Sequence, residues 1–445
     1  MILNKGLGML SLIAAGAGCM SCSQNEEKKM NIVLIMADDF GYECIGANGS
    51  EYSTPNVDAL AEQGIRFTCC HSNPLSTPSR VQLMTGKYNV KNYISFGKLD
   101  RGETTFGNLF ADAGYATCIT GKWQLGKDKD SPQHFGFQQS CLWQQTEGAT
   151  DDAGADTRYS RPIMDINGEI KVFPEGTFGP DIYNEFAINF IREHKDEPFF
   201  VYYPMCLTHC PFVSTPDSEE WDAMRSPTYK GNAIHYPDMV KYTDKMVGKI
   251  VDELKRLGLM DNTMIIFTGD NGTDKPVVTM LDGKPYPGGK GQTIDSGTHV
   301  PMFVWHPDCV HGVNDNLVDF TDFLPTLCDA AGISTDGIEE LDGTSFLPQI
   351  VGEKGKVREW IYCWYAPRKV YDEAAAVFAR NKTFKLYRDG RFYNVLNDFN
   401  EQNPILPEQM GNEEKEAYAE LLKVIESYEP YAIKRRAGIA TDTVK

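Results

Sequence analysis

Short apolar runs alternate with longer amphipathic stretches along most of this chain, and no other feature restricts the fold as strongly. The runs have the length and composition of buried strands and comprise Asn31–Met36, Ala116–Thr120, Phe199–Tyr203, Met264–Thr268 and Pro301–Trp305. The amphipathic stretches predict helices at Asn56–Gln63, Thr105–Ala113, Asp181–His194 and Pro237–Leu257. Strands that alternate with helices predict an α/β fold with a largely parallel central sheet flanked by helices. Ligands of such sheets bind beyond the carboxyl ends of the strands.

The last part of the chain has a different pattern. From about Glu359, the runs WIYCWYA, AAVFAR, FKLYRD and RFYNVL predict a small antiparallel sheet, with a hairpin turn at Asp389-Gly390 and a closing helix over Glu413–Tyr428. We therefore expect a leader and linker over 1–29, a large α/β domain over 30–350 and a small C-terminal α+β subdomain over 351–445. The polar, Gly-rich stretch Asp128–Gly179 has weak periodicity, so we expect an insertion there.

The N-terminus resembles an export signal. Lys5 precedes an apolar run over Leu7–Gly18, which is too short to span a bilayer and is followed by polar residues. Cys19 and Cys22 are candidate lipid-attachment sites of a bacterial lipoprotein, with Cys22 slightly favoured. A plain cleaved secretory signal is the alternative. Either pattern predicts an exported protein, periplasmic or anchored by lipid to the outer membrane.

Charge and cysteine content exclude some function classes. The chain has 43 basic and 62 acidic residues and a net charge of −19, which excludes a nucleic-acid scaffold because such a protein needs a basic face. An anionic substrate would have to be attracted by local Lys and Arg side chains. The twelve cysteines have irregular spacings that fit no zinc motif, so we expect most of them to be buried thiols.

Two pairs of oxygen-bearing side chains directly follow predicted strands. Asp38-Asp39 follows the first strand, and Asp270-Asn271 follows the strand Met264–Thr268 within the run TGDNG. Each pair alone is more often a helix cap or a turn. Together, at the carboxyl ends of two strands, they predict one cation site, and an all-oxygen ligand shell suits calcium or magnesium.

The run Ser76-Thr77-Pro78-Ser79-Arg80 is the most specific local motif. Pro78 suits a first helical turn and Gly86 suits a helix end, so Ser76 is expected near a helix N-terminus. The free N–H groups and the dipole at such a terminus favour an anion. The local pattern by itself is equally typical of a short helix capped by serine.

The same run, followed by LMTG, resembles the signature of the formylglycine-dependent sulfatases in the alkaline phosphatase superfamily. Further motifs of that family occur in the expected order, namely ADDFGYECIGANG, TPNVDALAEQGIRFT, GKWQLG, LTHCPF, TGDNG, GGKGQTIDSGTHVP, LDGTSFLPQI and RFYNVLND. The resemblance spans about residues 31 to 400. It implies an alkaline phosphatase-like fold and an enzyme that hydrolyses sulfate esters, expected here on sulfated carbohydrates.

The resemblance also implies a cofactor and a modification. One calcium ion, with magnesium less expected, would be bound by Asp38, Asp39, Asp270, Asn271 and the modified Ser76. Ser76 would be converted to formylglycine (3-oxoalanine). Because the residue is Ser rather than Cys, the partner that performs this conversion would be an anaerobic-type radical maturase.

Four further residues receive catalytic roles from the resemblance. Arg80 would hold the modified side chain, Lys122 and Lys290 would contact the sulfate oxygens, and His209 would face the ester oxygen and protonate the departing alcohol. Each has an ordinary alternative: Lys290 could be a solvated loop lysine, Lys122 could pack on Trp123, and His209 could be a turn residue. Only their joint placement favours the catalytic roles.

Two positions depart from the family pattern. The family commonly reads GKWHLG, but Gln124 stands where His is usual, and Gln cannot act as a base. His299 stands where Arg is usual. We hypothesise that His299, or His209 acting twice, performs the missing proton transfer.

Alternatives to a sulfatase stay open from the sequence. One is a phosphohydrolase of the same superfamily that uses unmodified Ser76, and another is a non-catalytic glycan-binding relative. Arg158, Arg161 and His235 lie in polar insertions and are candidates for sugar contacts. The identity of the sugar does not follow from the residues.

Overall fold

The computed structural model describes residues 28–143, 150–151, 153–222, 230–368 and 372–442. The expected leader, including Cys19 and Cys22, lies outside the described residues, as does nearly all of the region 1–29. None of the helices in the described part of the chain combines the length and apolar character that a membrane span requires.

The described residues form strands and helices with the following bounds. The strands are β1 (Asn31–Ala37), β2 (Ile65–His71), β3 (Ala116–Lys122), β4 (Gln139–Trp143), β5 (Ile163–Ile166), β6 (Glu169–Val172), β7 (Phe199–Pro204), β8 (Thr263–Gly269), β9 (Val278–Leu281), β10 (Lys284–Pro287), β11 (His299–Trp305), β12 (Gly312–Asp319), β13 (Ile361–Tyr365), β14 (Ala376–Arg380), β15 (Phe384–Tyr387) and β16 (Phe392–Asn394). The helices are α1 (Pro55–Gln63), α2 (Ser76–Thr85), α3 (Asn89–Asn92), α4 (Phe106–Asp112), α5 (Ser131–His134), α6 (Gly179–Glu193), α7 (Tyr236–Leu257), α8 (Asp295–Thr298), α9 (Phe323–Ala330), α10 (Leu347–Val351) and α11 (Asn412–Asp442).

A ten-stranded sheet forms the centre of the molecule, in the order β12-β2-β11-β8-β1-β7-β3-β4-β5-β6. The five neighbouring strands β8, β1, β7, β3 and β4 are parallel, whereas β11 runs antiparallel to both of its neighbours. All five predicted strands belong to this sheet. The predicted α/β fold with a largely parallel central sheet is therefore confirmed.

Strand β1 shows why the sheet must be covered on both faces. Every one of its residues is buried, as expected for a central strand between two helical layers. Its side chains alternate between two apolar clusters, with Ile32, Leu34 and Met36 in one and Val33, Ile35 and Ala37 in the other. Helices α2, α4 and α9 contribute to the first cluster, and α1, α6 and α7 contribute to the second. The period of two along the strand thus places one helical layer on each face.

The stretch Asp128–Gly179 is not a separate insertion. It contains β4, β5 and β6, which extend the central sheet to its edge. The edge strand β6 is exposed along its whole length, so it lacks the apolar run that marks a buried strand. Strand β2 was missed for a related reason, because partly exposed polar residues such as Arg66 and Thr68 interrupt its apolar pattern.

The C-terminal part contains the predicted antiparallel sheet, in the order β13-β14-β15-β16, and its β15–β16 turn includes Gly390 at φ 92°. Helix α11 is longer than predicted and continues through Pro430. Arg435 stabilises this extension by donating to the carbonyls of Tyr93 at 2.7 Å and Asn89 at 2.8 Å. The boundary expected at residue 350 stays a prediction, and α10 runs across it.

The ten cysteines of the described residues are free thiols, and all but Cys69 are buried, as predicted.

Candidate active site

The candidate site lies where four adjacent parallel strands, β8, β1, β7 and β3, end at the same edge of the sheet. Asp38-Asp39 follows β1, Asp270-Asn271 follows β8, and Lys122 is the last residue of β3. His209 lies in the loop after β7. The structure therefore brings together the residues that the sequence placed at strand ends, as the rule for parallel sheets predicts.

Ser76 is the first residue of α2, and its side chain faces this edge. Its Oγ lies 3.2 Å from Asp38 Oδ1 and 3.2 Å from Asn271 Oδ1, and Lys122 Nζ lies 3.3 Å away. The helix ends at Gly86, which has the left-handed φ of 66° expected for a C-terminal glycine. The hydroxyl is thus at a helix N-terminus, where the dipole favours an anion, and among oxygen ligands.

The metal-ligand candidates form one buried group. Asp38, Asp39, Asp270 and Asn271 are all fully buried. The Asp39 N–H donates to Asp270 Oδ1 at 2.9 Å, and Asn271 Nδ2 donates to Asp39 Oδ1 at 2.9 Å. Asp39 has a left-handed backbone at φ 55°, a conformation that is unusual for a residue other than Gly. The strained turn directs a second carboxylate toward the same point as Asp38.

Three cationic side chains face the three carboxylates. Lys122 Nζ donates to both oxygens of Asp38, at 2.9 and 2.7 Å. Arg80 Nη2 donates to Asp270 Oδ2 at 3.1 Å. Lys290 Nζ donates to Asp39 Oδ2. Each carboxylate is therefore paired with one base, which offsets the cost of burying it.

The carboxylates nevertheless influence one another. Burial, together with the nearby charge of Asp38, raises the pKa of Asp270 to about 7, against the opposing effect of Arg80. Burial would also raise the pKa of Asp38, but Lys122 and the other nearby bases hold it well below its usual range. A divalent cation between these oxygens would favour the ionised form of all three acids.

The donor set fits a hard cation. Asp38 Oδ1 and Asn271 Oδ1 both lie 3.2 Å from the Ser76 hydroxyl, and Asp270 accepts from the N–H of Asp39, so the site is rich in the oxygen ligands that calcium and magnesium prefer. Asp38, Asp39 and His209 also bring ligand atoms within 4.8 Å of one another. A site that used this imidazole would suit a transition metal better. The Nε of Arg80 is buried without a hydrogen-bond partner in the described structure, which leaves a donor for an anionic group.

His209 lies beside this group and contacts Arg158. Its Nε2 is 3.7 Å from Asp39 Oδ2, and the guanidinium of Arg158 contacts its Nδ1. Arg158 is buried, is held by Asp156 at 3.1 Å and lies 4.1 Å over the ring of Trp143. Burial, with the charges of Lys290 and Arg158, lowers the pKa of His209 well below its usual value. The imidazole is therefore uncharged near neutral pH, whereas an imidazole with an ordinary pKa would be partly protonated there.

The three candidates for sugar contacts have different positions. Arg158 contacts His209 at the site, but its side chain is buried and forms an ion pair with Asp156. Arg161 is exposed and lies 3.8 Å from Glu175, and His235 lies 3.7 Å from Glu220. No hydrogen bond or ion pair within the described residues connects Arg161 or His235 to Ser76.

The two residues that depart from the family pattern, Gln124 and His299, lie in different places. Gln124 is next to the site, because its Oε1 accepts from Thr77 Oγ1 at 3.4 Å, and its φ is 54°. His299 instead hydrogen-bonds the carbonyl of Thr68 at 2.9 Å and stacks against Tyr42. None of the contacts described for His299 reaches Ser76, so the geometry gives no support to His299 as the missing base.

Sequence reasoning missed the side chains that hold the Asp38-Asp39 turn. The hydroxyls of Thr208 and Tyr236 donate to the Asp39 carbonyl at 3.3 and 3.2 Å, and Thr208 also contacts the carbonyl of Asp38 at 3.3 Å. These contacts join residues about 170 to 200 positions apart. No local pattern in the sequence indicates them.

Known proteins similar to this chain include several sulfatases. A family model described as Sulfatase matches residues 30–333. Arylsulfatase A of Bos taurus is 31% identical over 383 residues, which cover 78% of this chain and 72% of the relative. N-acetylgalactosamine-6-sulfatase of Mus musculus is 28% identical over 390 residues, covering 79% and 70%. The crystal structure of Ps i-CgsB in complex with k-i-k-neocarrahexaose has a TM-score of 0.73 at 25% identity and covers 90% of this chain and 93% of its own.

Proposed function

The chain belongs to the sulfatase family and is a sulfuric ester hydrolase; from this premise we propose that it hydrolyses sulfate esters of carbohydrates with a nucleophile derived from Ser76. One observation carries the proposal: the Ser76 Oγ lies at a helix N-terminus, 3.2 Å from Asp38 Oδ1 and 3.2 Å from Asn271 Oδ1. A hydroxyl in that position is next to the cation candidates and within an environment that favours an anionic ester.

The nucleophile is formylglycine, formed from Ser76 by a radical maturase. The support for this step is the motif Ser76–Arg80, together with the buried position of its first residue. The hydrated aldehyde supplies two hydroxyl groups on one carbon, so one can attack sulfur and the other can release sulfate. An unmodified serine lacks the second hydroxyl and would need a water molecule for the release.

The cation is calcium, with magnesium as the second choice. Asp38, Asp39, Asp270, Asn271 and residue 76 would hold it, and the all-oxygen donor set supports this choice. When bound, the ion supplies a Lewis acid that increases the acidity of a coordinated hydroxyl.

The surrounding side chains act on the sulfate group. Lys122 and Lys290 bind its oxygens, and the unpaired Nε of Arg80 offers a further donor on the same side. The Nδ1 of His209 contacts both Arg158, which can only donate, and the Cys210 carbonyl, which can only accept. Its Nε2 makes neither contact and is the ring atom that acts on the departing oxygen.

Carbohydrate esters are the proposed substrates because of the relatives. One is named for N-acetylgalactosamine 6-sulfate chemistry, and the similar solved structure holds k-i-k-neocarrahexaose. The leader pattern with Cys19 and Cys22 further supports an exported, lipid-anchored bacterial enzyme.

Peptide mass spectrometry tests the nucleophile. After co-expression with a radical maturase, the peptide that contains Ser76 should lose two hydrogen atoms, and hydrolysis of sulfated sugars should rise with the converted fraction. Ser76→Ala should show neither change. Sulfate-ester turnover by fully unconverted protein would contradict the proposal. Turnover of phosphate esters by that protein would favour the phosphohydrolase, and sugar binding without any turnover would favour a binding protein.

A further inference from the structure

A tight loop lies directly beside the nucleophile position. The Gly97 N–H donates to Thr77 Oγ1 at 3.2 Å, and Thr77 follows Ser76 in α2. The loop is also tied to the segment after β3 through a hydrogen bond from the Leu99 N–H to the Leu125 carbonyl at 2.9 Å. Phe96 lies within this loop and is 36% exposed despite its size. An aromatic ring is therefore presented to solvent at the margin of the site.

A segment of the C-terminal sheet approaches the same margin. Strand β13 ends at Tyr365, and the Tyr93 hydroxyl donates to the Pro367 carbonyl at 2.8 Å, which joins the two segments. The guanidinium carbon of Arg368 lies 5.9 Å from the centre of the Phe96 ring. The two segments thus place an aromatic side chain and a cation side by side.

Tyr365 lies near a second loop, which contacts the segment just before Ser76. A β-carbon at Gly291 would lie 3.8 Å from the Tyr365 hydroxyl. The Gly291 N–H donates to the Pro74 carbonyl at 2.7 Å, so this loop borders the approach to Ser76, and Lys290 precedes it. We name Phe96, Tyr365 and Arg368 the rim.

The charge of Arg368 has no acidic counterpart in the part of the chain that the structure describes. Within the described residues, no carboxylate forms an ion pair with it, whereas exposed arginines such as Arg101, Arg161 and Arg391 each have an acidic partner. The whole chain carries a net charge of −19, so an exposed guanidinium without an acid is unusual in its setting. Such a planar fork suits a carboxylate or a sulfate.

We infer that the rim binds the sugar that carries the ester, and that Arg368 pairs with a second anionic group on that sugar or its neighbour. The apolar face of a pyranose packs on Phe96, and the Tyr365 hydroxyl is available to a ring substituent. The substrate class is therefore a sulfated sugar with a further carboxylate or sulfate. This inference rests on the proposed function, because it takes the sulfate to be bound at Ser76.

Matched substrates test the rim. Wild type and Arg368→Ala should be compared on a monosulfated neutral sugar and on the same sugar with a second acidic group. We expect the variant to lose about tenfold in kcat/KM on the second sugar, mainly through KM, and to be unchanged on the first. Arg391→Ala, which removes an exposed arginine elsewhere, should change neither, and Phe96→Ala should weaken both.

The outcomes separate this inference from the proposed function. Equal losses on the two sugars, no loss on the doubly charged one, or the same effect from Arg391→Ala would overturn the role of Arg368. If wild type hydrolyses no sulfate ester, the proposed function fails. In that case, calorimetry should measure the affinity of wild type and of Arg368→Ala for the two sugars. A loss of affinity in the variant for the doubly charged sugar alone would support the role of Arg368 in the rim.

Discussion

Two buried clusters of acids and bases in this molecule have opposite designs. In the active site, three carboxylates lie at one edge of the sheet, one of them contacts the Ser76 hydroxyl, and each of them also has a base. At the junction between α8 and the C-terminal sheet, Arg380 pairs with Asp295 at 2.5 Å, and Lys385 pairs with Glu401 at 2.6 Å. At the junction, each acid is paired with its own base, and the two acids do not surround a common group. Buried charge alone therefore does not identify a site, whereas converging like charges around a nucleophile do.

Glu43 extends the comparison, because it is a buried acid without any base. Its Oε1 accepts from Thr273 Oγ1 at 2.5 Å, and its Oε2 is buried without a partner in the described structure. Burial raises its pKa to about 7. The molecule thus contains paired, converging and isolated carboxyl groups, and the predictions below separate their roles.

The largest expected effect comes from the nucleophile. Ser76→Ala should reduce kcat/KM by about 10⁵-fold, as removal of a catalytic nucleophile does elsewhere, while the free energy of unfolding changes by about 1 kcal/mol or less. Steady-state kinetics and urea unfolding measure the two effects. Ser79→Ala is the matched control, because it removes another hydroxyl from the same helix. The hydrogen bond described for that hydroxyl goes to the Asn73 carbonyl, at 2.9 Å. A loss of less than tenfold in Ser76→Ala would exclude this residue as the nucleophile.

The junction should show the reverse pattern. Arg380→Met leaves Asp295 without its base and should lower the free energy of unfolding by about 3 to 5 kcal/mol, with little change in kcat per folded molecule. Arg391→Met is the control, since its pair with Asp389 is exposed and should contribute about 1 kcal/mol or less. Urea titrations of both variants give the comparison. Equal destabilisation by the two substitutions would show that the junction has no special structural role.

Sequence patterns predicted the active-site cluster far better than the junction. Asp38 and Asp270 each follow a buried apolar run directly, so their positions at the sheet edge follow from local sequence and one general rule. Ser76 carries a motif that is readable within five residues. Asp295 and Arg380 are 85 positions apart, and nothing in either neighbourhood indicates that they meet.

The contact between Arg158 and His209 was missed for the same reason, because long-range packing decides it. Arg158 was predicted only as a candidate sugar contact. Its burial depends on Trp143, which belongs to a strand that the sequence did not reveal. Burial and the neighbouring charges thus change the expected state of His209 from a group that titrates near neutrality to one that is uncharged there.

Glu43 predicts a pH dependence of stability that comes from an acid without an ion pair among the described residues. Its pKa is about 7 in the folded protein against an ordinary value of 4.5, so the folded state binds the extra proton between these values. The free energy of unfolding should therefore fall by up to about 3 kcal/mol as pH rises from about 4.5 to 7. Glu43→Gln should reduce this slope by the contribution of Glu43 and leave that of Asp270, whose pKa is also raised to about 7, as measured by urea unfolding at several pH values. An identical slope in the variant would assign the effect to other groups.

Removal of the cation has a smaller expected effect on stability than the changes at Arg380 and Glu43, and it bears most directly on the active-site carboxylates. Chelation should lower the free energy of unfolding by about 2.7 kcal/mol relative to protein with calcium at a hundred times its dissociation constant, and it should also abolish activity. The effect on stability arises because only the folded chain brings Asp38, Asp39 and Asp270 to the same edge of the sheet. Arg380→Met should show the same calcium increment, since the junction contains none of the proposed ligands, whereas Asp38→Asn should lose it. A calcium increment that survives in Asp38→Asn would place the ion elsewhere, and the converging acids would then need a different explanation.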